Sequence, residues 1–82
     1  AYMYEASLER RVETVIGLVF GRTVAPGERI DMASESAWDS MKHIELVITL
    51  EQELGVSFEP EDIPRLTSSC AILAKVKELH AS

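Results

Sequence analysis

The chain has 82 residues, with 14 acidic against 8 basic side chains and a formal net charge of −6. That length gives one small domain, residues 1–82, near the lower end of what a single hydrophobic core can stabilise without staples. The negative charge disfavours nucleic acid as a partner, the lone Cys70 excludes an internal disulfide, and His43 and His80, scattered singly, offer no ligand spacing for zinc.

The first predicted element is a helix over residues 5–20, with Leu8, Val12, Val15, Ile16 and Val19 on one stripe. Ser7 or an earlier residue starts it, and Gly21 is its expected cap. Glu9, Arg10, Arg11, Glu13 and Thr14 form its polar face, while Gly17 inside it costs about 1 kcal/mol relative to alanine. Residues 21–38 then show no sustained period, and a connection of this length is either functional or pinned by its own apolar plugs. Ile30 and Met32 are the candidate plugs, and Trp38 is placed to pack near His43 as a staple across the start of the next helix.

The second helix follows Trp38-Asp39-Ser40-Met41. Its buried stripe is Leu46, Val47, Leu50 and Leu54, with His43 one turn earlier, and Gly55 supplies a left-handed stop. A second row carries Met41, Ile44, Glu45, Ile48, Glu51 and Gln52, mixing apolar groups with carboxylates. Folding alone does not ask for that mixture, so the row is expected to be read by another protein. Ser40 falls at the helix N-terminus, an accessible hydroxyl beside positive dipole.

Beyond Gly55, Val56 and Phe58 alternate with Ser57 in an extended link. Pro60 and Pro64 bracket Glu61, Asp62 and Ile63, which predicts one 3₁₀-like turn reaching Leu66 rather than a long helix. Thr67, Ser68 or Ser69 caps a final helix through His80, with Ile72, Leu73, Val76 and Leu79 as its stripe and Lys75, Lys77 and His80 suited to its negative end. Cys70 has no base suggested nearby and reads as a structural or surface thiol.

Asp39-Ser40-Met41, followed by Ile44-Glu45-Leu46-Val47 and Leu50-Glu51-Gln52-Glu53-Leu54-Gly55, resembles the Asp-Ser-Leu motif and second helix of acyl carrier proteins. The likeness extends over nearly the whole chain in the order and length of its elements. It implies an all-α fold, a small four-helix bundle with a long loop between helices 1 and 2 and a short third helix, mobile enough to help the core open for an acyl chain. It also implies that Ser40 carries 4'-phosphopantetheine through a phosphodiester, with Asp39 as the acid before it. Met41, Ile44, Glu45, Ile48 and Glu51 would then be the surface read by a phosphopantetheinyl transferase and by acyl-loading and acyl-processing enzymes with basic docking patches. The chain departs from the pattern at Ser36, Ala37, Lys42 and Gln52, where the family often has Leu, Gly, an acid and Glu. These departures bear on partner choice more than on modification.

The chemistry suits the place on physical grounds too. A phosphodiester at a helix start faces unpaired backbone N–H groups, and a visiting transferase supplies the activation of the hydroxyl, so the carrier itself needs no catalytic base. From residue 39 to 64 the acids are Asp39, Glu45, Glu51, Glu53, Glu59, Glu61 and Asp62, against Lys42 alone, a field that steers basic patches toward Ser40. The plainer account of an Asp-Ser pair is a helix cap worth about 1 kcal/mol, and of the acids a solvated face. The conjunction of pair, spacing and helix length favours the modified serine.

Three other readings compete. A hydrolase would need Asp39, Ser40 and His43 to converge, which successive positions around one helix oppose, so the chain is expected not to be an enzyme. An unmodified carrier-fold module would use Met41, Ile44 and Ile48 for docking alone. An aminoacyl or peptidyl carrier would share the serine, although the acidic second helix favours acyl cargo of the fatty-acid or polyketide type. The short ends fit a stand-alone monomer, and the lone cysteine fits a cytoplasmic setting. No run is long enough to span a bilayer, and no signal-peptide pattern is present.

Overall fold

A computed structural model describes residues 2–81, with side chains from 8 to 80, and contains three α-helices, α1 (Tyr2–Phe20), α2 (Ser40–Leu54) and α3 (Ser69–Ala81). Where the resemblance implies a short third helix there is a single 3₁₀ turn, Ile63–Arg65, of the kind the prolines predict, so the domain is all-helical with three α-helices rather than four and no sheet among the described residues. Pro64 inside the turn and Pro60 before it leave too few backbone donors for a longer helix.

The helical stripes bury as their spacing requires. Leu8, Val12, Val15, Ile16 and Val19 of α1 meet Leu46, Val47, Leu50 and Leu54 of α2 and Ile72 and Val76 of α3 in one core, with Leu73 and Leu79 half-buried at its margin. Lys42 Nζ reaches the Val19 carbonyl and Arg11 the Glu53 carbonyl, so α1 and α2 run antiparallel, each covering the other's C-terminal end. His80 lies against the Leu54 carbonyl, bringing the ends of α2 and α3 together. Gly55, at φ 67°, closes α2 through its N–H to the Glu51 carbonyl, a conformation that a side chain would strain.

The long connection is ordered by groups far away in sequence. Val24 and Ile30 are buried and Met32 half-buried, so Ile30 and Met32 act as the predicted plugs and Val24 adds a third. Glu13 is not part of a solvated face: it is 5% exposed, receives Arg10, and accepts the Gly27 N–H at 2.8 Å. Its spacing puts it among polar neighbours, but the loop folds back over it and uses the carboxylate to satisfy a turn. Ile30 and Met32 exchange backbone hydrogen bonds with Ser69 and Thr67, giving one isolated antiparallel bridge between Asp31 and Ser68.

Gly17 has a reason beyond propensity. The Arg22 N–H bonds back to the Gly17 carbonyl as the chain turns at Gly21, φ 70°, and a Cβ on Gly17 would stand 2.5 Å from the Arg22 carbonyl oxygen. Gly17→Ala is therefore expected to lower stability, because overpacking against backbone costs about 1–3 kcal/mol and outweighs the roughly 1 kcal/mol gained in helix propensity. A urea midpoint equal to or above that of wild type would contradict this.

Arg22 and Glu28 bracket the same loop, 2.6 Å apart, and Glu28 also accepts the Ala25 N–H. The Arg22 hydrogen bond, followed by that of Ala25, holds the Glu28 carboxyl below the usual carboxylate range. A folded-state value that is lowered stabilises the fold above the ordinary carboxylate range, and this contribution fades as pH falls through the lowered value. Glu28→Gln should lower the thermal midpoint slightly at about pH 7, with the gap to wild type narrowing in acid as pH falls below the ordinary carboxylate range. A gap of constant size at neutral and acid pH would rule out this linkage.

Candidate functional site at the start of the second helix

Asp39 is the N-cap of α2. Its backbone is extended, φ −102° and ψ −173°, and its side chain accepts the Lys42 N–H at 2.9 Å. Ser40 is the first helical residue and is exposed. The Asp39 carbonyl takes the His43 N–H as the first intrahelical bond, so the N–H groups of Ser40 and Met41 stand ahead of the ladder at the positive end of the helix.

The predicted outer row is largely brought together on one face. Met41, Ile44 and Ile48 are 81%, 58% and 49% exposed, values that core packing cannot explain, and Glu45 lies exposed among them. Glu51 differs: it is half-buried, and its carboxylate accepts the Phe58 N–H at 3.0 Å, fastening the link after α2. Gln52 and Glu53 remain exposed at the same end.

Lys42 lies between this strip and α1. A cation in the first turn opposes the helix's own dipole, yet here its ammonium sits 3.2 Å from the Val19 carbonyl at the end of α1 and 3.4 Å from Glu45. No local pattern signals this contact, because the carbonyl lies on another helix.

Beneath the serine, Trp38 and His43 are buried and stacked, ring centroids 6.1 Å apart. Trp38 Nε1–H donates to His43 Nδ1 at 3.0 Å. The indole can only donate, so the imidazole carries its hydrogen on Nε2 and donates it to the Ile63 carbonyl at 2.8 Å. Trp38 also leans on Phe20 at the end of α1, centroids 5.3 Å apart. The predicted Trp38–His43 contact is thus a polar relay as well as a staple. Both imidazole nitrogens are engaged away from Ser40, and Asp39 is engaged as a cap, so the three do not line up as a relay for nucleophilic attack.

The turn beside His43 is tied from its other side by Lys75, 3.4 Å from Asp62 and 3.2 Å from Glu78. Glu78 first, then Asp62, raises the Lys75 ammonium above its ordinary value. Ser68 caps α3 through the Ala71 N–H, which settles the choice among Thr67, Ser68 and Ser69. Cys70 follows in the first turn, exposed, at a cleft shared with Glu9, Glu13 and Gly27. Among the described residues no cluster fit to hold a metal ion occurs, and no helix is long and apolar enough to cross a membrane.

Compared with family models, curated proteins and solved structures, the chain gives no match.

Because Asp39 caps α2 by a single side-chain bond, Asp39→Ala should cost about 1 kcal/mol in urea unfolding, and Asp39→Asn only a fraction of that. Equal losses in the two variants would show that the charge, not the cap, carries the effect.

Proposed function

We propose that this chain is a carrier of the acyl carrier protein type, holding acyl intermediates as thioesters on a 4'-phosphopantetheine arm attached to Ser40. The observation that carries the proposal is an exposed serine hydroxyl in the first turn of a capped helix, bordered by an exposed apolar strip with carboxylates around it.

The residues present fit such a group. Ser40 is reachable from solvent, and Asp39 fixes its backbone by capping the third N–H of the helix. The N–H groups of Ser40 and Met41 remain to face a phosphodiester. When attached, the arm supplies a thiol on which an acyl group is carried. Ser40 needs activation from outside the chain, because the nearest imidazole, His43, is turned inward. Met41, Ile44 and Ile48 give a partner apolar anchorage, and Glu45 with the acids farther along draws in basic patches on a transferase or an acyl-processing enzyme. Glu51 contributes to that field while its carboxylate secures the Phe58 N–H.

The same apolar strip supports a second reading, a docking module that is never modified, and the two part company at Ser40. An aminoacyl or peptidyl carrier would share the serine; the acids around the strip favour acyl cargo.

Incubation with coenzyme A and a broad-specificity phosphopantetheinyl transferase should add the mass of one arm to the wild-type protein and none to Ser40→Ala, read by intact-protein mass spectrometry. An unchanged wild-type mass leaves the docking module as the better account, and an arm on Ser40→Ala would move the site elsewhere.

A further inference from the structure

We propose that His43 is a positioning residue that couples the Ser40 end of α2 to the turn Ile63–Arg65, so that a partner meets the two as one surface. The inference rests on the carrier reading of Ser40.

His43 lies one turn after the serine, and four segments meet at it and its stacked partner. Trp38 belongs to the loop and directly precedes the capping Asp39, Phe20 of α1 packs on Trp38, His43 belongs to α2, and Ile63 opens the turn. The Ile63 carbonyl accepts twice, from His43 Nε2–H at 2.8 Å and from the Leu66 N–H at 3.2 Å. The bond that closes the turn and the bond that docks it on α2 thus share one oxygen.

Displacing the turn would strand an imidazole N–H in a buried setting, and shifting Trp38 would strand Nδ1. Movement of the turn is therefore linked to the backbone just ahead of Ser40. The two nitrogens find their partners in two separate segments, so the ring ties the loop before Ser40 to the turn. Lys75 holds Asp62 from α3, so loss of His43 would free the α2 side of the turn while leaving its α3 side attached.

His43→Phe keeps an aromatic ring and removes both hydrogen bonds. Residue-resolved hydrogen exchange on the unmodified protein should show the Leu66 N–H exchanging at least about tenfold faster, while the Leu50 and Val76 amides stay within about threefold of wild type. Unchanged exchange at Leu66, or equal acceleration everywhere, overturns the coupling. If His43→Phe does not fold, Trp38→Phe, which keeps a ring and deletes the Nε1–H donor, takes the same readout.

With the transferase, KM for His43→Phe should rise about tenfold with kcat nearly unchanged, and His43→Gln, which offers an amide donor toward Ile63, should recover part of the loss. A fall in kcat at constant KM overturns the positioning role. If the wild-type protein takes no arm, the carrier reading falls, and the exchange result by itself still decides the coupling.

Discussion

Buried backbone outside a helix must find a hydrogen-bond partner, and this constraint shapes the molecule more than any one apolar contact. Three helices of 19, 15 and 13 residues supply the core, but they are joined by segments that contribute buried side chains without a ladder of their own. Each such segment is satisfied by a side chain projecting from a helix. Glu13 takes the Gly27 N–H, Ser69 the Ile30 N–H, Glu51 the Phe58 N–H, and His43 gives its N–H to the Ile63 carbonyl. Without these bonds Ile30 and Phe58 could not turn inward, since burying them would also bury unpaired amides. The polar residues so used lie on or beside the core rather than in solvent.

What could be read from the sequence follows from the range of each interaction. The helical stripes, the stop at Gly55 and the cap before Ser40 depend on residues within one or two turns, and pattern alone places them. So does the outward row of Met41, Ile44 and Ile48, because a helix that commits Leu46, Val47, Leu50 and Leu54 to the core leaves those three opposite. The turn at residues 63–65 was legible from its prolines. The burial of Glu13 was not, because its partner is 14 residues away and the polar neighbours Glu9, Arg10 and Thr14 are solvated. Gly17 carried a cost in propensity whose cause, the Arg22 carbonyl, appears only once the chain has turned at Gly21. Glu51 looked like a surface acid and proved to be half spent on the following link.

Lys42 shows how such distant partners also set the character of the site. Taken along α2 alone, a lysine two residues after the serine would offset the acids and weaken an electronegative approach to Ser40. Its ammonium instead lies at the C-terminal carbonyls of α1, where the dipole is negative, and the remaining contact is to Glu45. The positive charge is drawn toward the α1 end while Met41, Ile44 and Ile48 face solvent with exposed Glu45, Gln52 and Glu53 on the same helix. Lys42 therefore serves the packing of α1 on α2, and the strip beside Ser40 remains apolar, with Glu45 paired to Lys42 and Glu51 holding the Phe58 N–H at its edge. A partner that matched this strip would need an apolar centre with basic groups around it, and it would find the serine at one end of the contact rather than in the middle.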